Sequence, residues 1–97
     1  MRSAVFHPEA EEELIAAAWF YEQQAEGLGG EFIGEVRHTV GRIIAHPESG
    51  ARFSRGLRRM LVDRFSYTVL YRAEAEQILL VAVMHLHRRP GYWRHRL

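Results

Sequence analysis

The stretch YTVLYRAEAEQILLVAVMHL, residues 67–86, decides the fold of this chain. Its β-branched and aromatic residues predict two strands, Tyr67–Ala73 and Gln77–Leu86, separated by the turn Glu74-Ala75-Glu76. So short a turn makes the two strands antiparallel neighbours. Polar residues are absent from Ile78 to Met84, so the second strand is expected to be central in its sheet.

Two further strands are predicted outward from this pair. Leu57 to Phe65 predicts a strand that turns at Phe65-Ser66 into the next one, which makes a three-stranded meander. Arg2–Phe6 predicts a short strand closed by His7-Pro8, and this strand can join the same sheet.

Two helices are predicted between the first strand and the meander. The first runs from Pro8 to about Gln24, because proline suits the first turn and apolar residues then recur at helical spacing. The segment Glu26-Gly27-Leu28-Gly29-Gly30 breaks it. The second helix begins at about Glu31 and ends at His46-Pro47.

These elements predict one α+β domain over residues 1–97, in the order β-α-α-β-β-β. The short loop between the helices makes them an antiparallel hairpin. The hairpin is the available cover for one face of the sheet, so we expect a two-layer fold with the helix hairpin packed on an antiparallel sheet.

The composition excludes several classes of protein. The chain has no cysteine, which excludes disulfides, thiolate nucleophiles and cysteine-ligated zinc. The first eight residues lack the apolar run of a signal peptide, and the longest apolar run, Ile78 to Met84, is too short to cross a membrane. A cytoplasmic protein without a membrane partner is expected.

Charge is divided unevenly along the chain. Residues 1–50 carry nine acidic side chains and three arginines, whereas residues 51–97 carry ten arginines and three acidic side chains. All thirteen basic residues are arginine, whose planar fork suits bidentate contacts to phosphate or carboxylate. The second half is therefore expected to meet an acidic or anionic partner. The acidic run Glu11-Glu12-Glu13 is interpreted as a complement to the positive end of the first helix and as a solvated face.

Several short stretches along the chain resemble the RelE/ParE toxins of bacterial type II toxin–antitoxin systems. They begin with Glu12-Glu13-Leu14 and Trp19-Phe20-Tyr21-Glu22 in the first helix, continue through Arg58-Arg59-Met60-Leu61 and the middle strands, and end with Arg88-Arg89-Pro90-Gly91-Tyr92-Trp93. The resemblance covers nearly the whole chain and keeps the predicted order of elements. It implies a small toxin that is held inactive by an antitoxin encoded beside it.

The family divides by target, into ribosome-dependent messenger-RNA endonucleases and inhibitors of DNA gyrase. The strand arginine of the nuclease branch falls on Arg64 and its late tyrosine on Tyr92. A second basic residue of that branch falls near Leu86, which is a departure, although His85 and Arg88 lie close by. The match to the nuclease set is partial, which favours the gyrase-directed or an undetermined branch, and the ribosome-dependent endonuclease stays open as the alternative.

Candidate site residues follow from this comparison and from the basic, aromatic character of the tail. For a ribonuclease, a base, an acid and a cation are needed at the scissile phosphate, and the candidate catalytic set is Arg64, His85, Arg88 and Tyr92. The candidate target-binding set is Arg58, Arg59, Arg88, Arg89 and Trp93.

Plainer interpretations of the same residues stay open. The aromatic residues Tyr92 and Trp93 can fold back on the core as anchors while the arginines of the tail stay exposed. His85 and His87 lie on one face of a strand, but no third ligand of suitable spacing accompanies them, so neither a metal nor a cofactor is expected. A nucleic-acid-binding or partner-binding domain without toxicity is the remaining alternative.

Overall fold

The structure, a computed structural model, describes residues 2–97 as two helices and five strands. The elements in chain order are β1 (Ser3–Phe6), α1 (Pro8–Gln24), α2 (Leu28–Ala45), β2 (Ala51–Ser54), β3 (Leu57–Leu61), β4 (Tyr67–Ala73) and β5 (Gln77–His85). A 3₁₀ turn, Arg94–Arg96, follows near the end of the chain. The α+β class and the helix hairpin packed on a sheet are confirmed.

The five strands form one mixed sheet in the order β1-β5-β4-β3-β2. Strand β5 lies inside the sheet, as predicted. β1 runs parallel to β5, while the other neighbouring strands are antiparallel. The parallel pair is a difference from the expected antiparallel sheet. Most of the chain separates β1 from β5, so no tight turn imposes an antiparallel direction on them.

Strand β2 is a further difference, because Ala51–Ser54 was not predicted as a strand. It is short and forms the edge of the sheet, where it pairs with β3 through an irregular register between Arg52 and Ser54. Charged, short edge strands have a weak sequence signal because one side of the strand faces solvent. Strand β3 also ends earlier than predicted, at Leu61, and Arg64 then adopts a positive φ of 71° in the turn that follows.

Helix α1 has the predicted bounds, whereas α2 begins three residues earlier than predicted. The carboxylate of Glu22 accepts hydrogen bonds from the backbone N–H groups of Gly27 at 2.9 Å and Gly29 at 3.0 Å. These bonds satisfy amides that would otherwise lack partners at the helix N-terminus. A Cβ at Gly29 would lie 2.5 Å from the carbonyl oxygen of Ala18, so glycine permits close packing of the helices there.

One core lies between the helices and the sheet, and its fully buried members are Phe32, Val36, Ile43, Val69, Tyr71, Ile78 and Leu80. Within it, the hydroxyl of Tyr71 donates to the carbonyl oxygen of Pro47 at 2.7 Å and accepts from the backbone N–H of Gly50 at 3.0 Å. The Tyr71 side chain therefore holds the loop between α2 and β2 against the core.

A second, smaller core lies on the opposite face of the sheet. It contains Leu57, Leu70, Val81, Ala82, Met84 and Trp93. Because Trp93 belongs to the C-terminal segment, that segment folds back across this face, and both faces of the inner strands are covered. Within residues 2–97, neither helix has the length and apolar composition needed to cross a membrane.

Candidate functional site

A small basic groove lies where β5 ends and the chain reverses. The backbone N–H of Arg88 donates to the carbonyl oxygen of His85 at 3.0 Å, which closes a turn and sends the tail back over the sheet. The groove between the tail and strands β3 and β4 has a volume of about 190 Å³. Its basic side chains are Arg59, His85, Arg88 and Arg89, and its apolar wall includes Phe53, Met84 and Trp93.

The structure therefore gathers five of the predicted site residues and separates the other three. Arg59, His85, Arg88, Arg89 and Trp93 line the groove. Arg58, Arg64 and Tyr92 do not line it, for reasons that differ in each case.

Trp93 is part of the floor of the groove rather than an exposed contact. It is 3% exposed, and its ring centroid lies 6.0 Å from that of Phe53. Its indole N–H is buried without a hydrogen-bond partner among residues 2–97. Trp93 thus holds the tail against the sheet, which is the anchoring role left open by the sequence.

Arg58 and Arg59 point to opposite faces of β3, as expected of successive residues in a strand. Arg59 lies opposite Leu70 on the face that carries the tail, and its guanidinium lies 4.9 Å from the ring centroid of Phe53. Arg58 lies opposite Tyr71, and its Nη1 donates to the carbonyl oxygen of Gly50 at 2.9 Å. Only Arg59 reaches the groove.

Arg64 lies in the turn after β3, where its guanidinium pairs with helix α2. Its nitrogens lie 2.7 Å from Glu31 and 3.7 Å from Glu35, and the hydrogen bond to Glu31 raises the pKa of Arg64. Among residues 2–97, no hydrogen bond or ion pair joins Arg64 to His85, Arg88 or Tyr92. The four candidate catalytic residues do not form one cluster.

Tyr92 is held in a clamp that the sequence did not predict. Its hydroxyl donates to the carboxylate of Glu13 at 2.5 Å, and the guanidinium of Arg96 reaches both oxygens of the same carboxylate at 2.8 and 3.1 Å. Burial, with the bond to Glu13, raises the pKa of Tyr92 well above its ordinary value. The phenol therefore stays protonated and acts as a donor, not as a base.

The clamp also closes an open edge of the sheet. Strand β1 ends beside Leu80, so the backbone of β5 beyond that point has no neighbouring strand on this side. Glu13 accepts from the backbone N–H of Val83 at 3.1 Å, and Arg96 donates to the carbonyl oxygen of Val81 at 3.0 Å. The two side chains replace the hydrogen bonds of a missing strand.

This result corrects the interpretation of Glu13 as part of a solvated face. Glu13 lies on α1 one turn from Ala10 and Ala17, both of which are buried, so helical spacing places it beside the buried stripe. The spacing of Glu13 from Ala10 and Ala17 is the sequence signal that indicates its position beside the core. The partner Arg96 is 8% exposed, and its role had no signal because its place depends on the path of the tail.

The histidines of the turn interact with each other and with an aromatic ring. The backbone N–H of His87 donates to Nδ1 of His85 at 3.1 Å, and the ring of His85 lies 5.4 Å from that of Tyr67. The guanidinium of Arg88 lies 4.2 Å from the ring centroid of Tyr92. Among residues 2–97, no three histidine or carboxylate side chains lie close enough together to hold a metal ion.

A second exposed feature, the apolar strip, lies along the outer side of the helix hairpin. Two adjacent cavities of about 240 and 420 Å³ share Ile15 and Ile33 as lining residues. Trp19, which lines the smaller of them, is 66% exposed, and Ile15 is 49% exposed. The strip continues towards the end of α2 through Val40 and Ile44. So large an exposed apolar surface is typical of a partner-binding site.

Comparison with known proteins places the chain in a family. The model of the family described as ParE toxin of type II toxin–antitoxin system, parDE, matches residues 4–90. A solved structure described as the chromosomal ParDE TA system from P. aeruginosa is similar, with a TM-score of 0.74. The similarity covers 88% of this chain and 96% of that chain at 17% sequence identity, which shows a shared fold. No curated protein matches the sequence significantly.

Proposed function

The chain belongs to the ParE toxin family of type II toxin–antitoxin systems, and on that premise we propose that it inhibits DNA gyrase and is neutralised by a cognate antitoxin. The observation that carries the choice of target is the separation of Arg64 from the other ribonuclease candidates. Arg64 is paired with α2, the hydroxyl of Tyr92 is held by Glu13, and Leu86 stands where the resemblance to the nuclease branch implies a basic residue. An inhibitor of gyrase needs a binding surface rather than an assembled acid and base.

The basic groove is the proposed contact with the target. Three arginines and a histidine surround it, and Arg88 and Arg89 are exposed. Exposed guanidinium groups bind carboxylates and phosphates in bidentate geometry. A complex of gyrase with DNA carries both kinds of group. Gyrase acts on chromosomal DNA, so we place the toxin in the bacterial cytoplasm.

The apolar strip on the helix hairpin is the proposed docking site for the antitoxin. Its exposed apolar residues fit the apolar face of an amphipathic helix, which recognises such grooves through side chains one turn apart. The excess of arginine in the second half of the chain favours an acidic antitoxin segment. Such a segment folds as it wraps the toxin, and its charged contacts weaken with added salt.

Expression of the chain alone in bacteria is the first test of toxicity. Growth arrest that is relieved by a small open reading frame beside the gene supports a toxin–antitoxin pair. Normal growth with soluble, folded protein contradicts an active toxin and favours a partner-binding or nucleic-acid-binding domain without toxicity.

The target is tested with the purified chain in two parallel assays. Added to gyrase, ATP and plasmid, it should block supercoiling or accumulate cleaved DNA. Added to ribosomes programmed with a defined message, it should produce no new cuts at codons. Cutting in the second assay with no effect in the first would reverse the assignment.

The ribosome-dependent endonuclease is the second candidate, and one observation favours it. His85 lies beside Arg59 and Arg88 in the groove, and an imidazole beside guanidiniums can move a proton while the cations bind a phosphate. Loss of message cutting in His85→Ala, with folding intact, would assign catalysis to this groove.

A further inference from the structure

A second basic site, the four-arginine pocket, lies at the end of the sheet away from the turn at His85. It is a cavity of about 610 Å³ between the loop after α2 and the hairpin of β2 and β3. Its charged lining residues are Arg2, Arg52, Arg55, Arg58 and Glu48. Among residues 2–97, none of the four arginines forms an ion pair with a carboxylate, so the pocket has an uncompensated positive charge.

In the register of the hairpin, two of these arginines lie opposite each other and repel each other when no anion is bound. Arg52 and Arg58 are paired directly across β2 and β3. Like charges directly opposite each other destabilise a pair of strands, and an anion between them removes the repulsion. Arg58 is also held in place, because its Nη1 donates to the carbonyl oxygen of Gly50 at 2.9 Å. One cation is thus preorganised beside the other.

The four-arginine pocket adjoins the basic groove. Phe53 lines both cavities, and the guanidinium of Arg59 lies 4.9 Å from the centroid of its ring. Arg52 and Arg58 lie on the face of the sheet that packs against the helices, whereas Arg59, Arg88 and Arg89 lie on the face that carries the tail. The cationic track from the pocket to the groove therefore passes around the edge strand β2, at Phe53. A ligand with a single negative charge would use only one end of this track.

We propose that the four-arginine pocket binds backbone phosphates of a nucleic acid whose strand continues into the basic groove. A phosphodiester backbone supplies one negative charge per nucleotide and binds through charge and hydrogen bonds alone. The arginines of the pocket and of the groove supply both positive charge and hydrogen-bond donors along the path of the strand. An acidic peptide segment would also fit the charge, and the measurements below distinguish it from a nucleic acid. The proposal goes beyond gyrase inhibition and does not depend on it.

The test measures binding of a short fluorescein-labelled DNA duplex to the full chain by fluorescence anisotropy over a range of salt concentrations. The test variant is Arg52→Gln/Arg55→Gln, and the matched control is Arg37→Gln/Arg42→Gln, which removes the same charge from α2. Both variants are first compared with the natural chain by circular dichroism and thermal unfolding. Arg58 is left unchanged because its half-buried side chain bonds the backbone of Gly50 at 2.9 Å, whereas Arg42 in the control is exposed and its contact with the carbonyl oxygen of Leu61 is long, at 3.4 Å.

Removing one arginine that neutralises a phosphate lowers the slope of log K against log salt by about 0.9, so the test variant should have a slope smaller by about two units. The control should keep the natural slope. Equal reductions in both variants would overturn the proposal, since they would reflect net charge alone. Absence of salt-dependent DNA binding by the natural chain would also overturn it.

A labelled polyglutamate peptide separates the two kinds of polyanion. Binding of the peptide that depends on Arg52 and Arg55, with DNA binding unaffected by the same variant, would replace the nucleic acid with an acidic protein segment. Gyrase is absent from both measurements. A negative result therefore leaves the proposed function as it stands, and a failed gyrase assay leaves this inference as it stands.

Discussion

Tyr92 and Glu13 lie 79 residues apart in the chain and are joined by a 2.5 Å hydrogen bond in which the phenol donates to the carboxylate. This hydrogen bond, with the pair between Glu13 and Arg96, ties the last residues to the first helix. The tail in turn forms one wall of the basic groove. The shape of the candidate site thus depends on a carboxylate outside it.

Removing the charge of Glu13 should destabilise the fold. In Glu13→Gln, the buried guanidinium of Arg96 keeps only the more distant carboxylate of Glu9, at 4.0 Å, and breaking a buried pair costs about 3 kcal/mol. Urea denaturation of the variant measures the loss in the free energy of unfolding. Glu12→Gln is the control, because Glu12 is exposed on the same helix. A loss in Glu13→Gln no larger than that in the control would show that the clamp does not stabilise the fold.

Alkaline pH should also weaken the clamp and destabilise the fold. The direction of this effect follows from the pKa of Tyr92. Its pKa is raised in the folded protein, so folding favours the protonated phenol. The stability that depends on this proton is complete below the unfolded pKa near 10 and falls as pH rises beyond it. The fall is at most about 1.4 kcal/mol per pH unit for one proton.

The measurement is the free energy of unfolding as a function of pH, in the natural chain and in Tyr92→Phe. The variant lacks the titrating group, so its stability should fall less steeply above pH 10. Parallel curves for the two proteins would contradict a role for this phenol in the pH dependence.

Removing the hydroxyl of Tyr71 should lower the free energy of unfolding, although the group is a single oxygen atom. Tyr71→Phe removes a donor to Pro47 and an acceptor for the buried N–H of Gly50, and an unsatisfied buried group costs about 1–3 kcal/mol. Thermal unfolding should show the destabilisation. Tyr67→Phe is the matched control, since the hydroxyl of Tyr67 makes no hydrogen bond within residues 2–97. Similar melting temperatures for the two variants would refute this assignment.

The apolar strip gives a prediction for the proposed antitoxin. Trp19 is 66% exposed, so Trp19→Ala should leave the free energy of unfolding nearly unchanged. Central aromatic residues at interfaces contribute about 2 kcal/mol or more, so affinity for the antitoxin should fall about 30-fold. Isothermal titration calorimetry measures it. Leu61→Ala, another exposed apolar residue but on β3, should bind like the natural chain.

The sequence predicts an element of the fold when the residues that determine it lie close together along the chain. The bounds of α1 follow from Pro8 and a regular apolar repeat, and the inner position of β5 follows from its unbroken apolar run. The start of α2 does not follow from the local sequence, because Glu22 of α1 accepts the hydrogen bonds of the Gly27 and Gly29 amides. Local propensity therefore predicted a loop where a capped helix begins.

The candidate site was predicted in part for the same reason. The basic and aromatic composition of the tail indicated Arg88 and Arg89, which the groove brings together with Arg59 and His85. The pairing of Arg64 with Glu31 joins residues 33 positions apart. Such pairings depend on tertiary structure, and a motif match alone does not reveal them.

The last prediction separates the groove from Arg64, the nuclease candidate that is paired with α2. If the groove contacts gyrase or its DNA, Arg88→Gln/Arg89→Gln should weaken inhibition of supercoiling at least tenfold, since each charge-assisted hydrogen bond contributes about 1.5–3 kcal/mol. Arg64→Gln should inhibit like the natural chain. Its guanidinium and the carboxylate of Glu31 are both more than half exposed, and a surface pair of this kind contributes little to stability. Purified proteins of verified folding are titrated into the same supercoiling reaction. Loss of inhibition in Arg64→Gln with full activity in Arg88→Gln/Arg89→Gln would move the functional surface to the turn after β3 and would reopen the ribonuclease assignment.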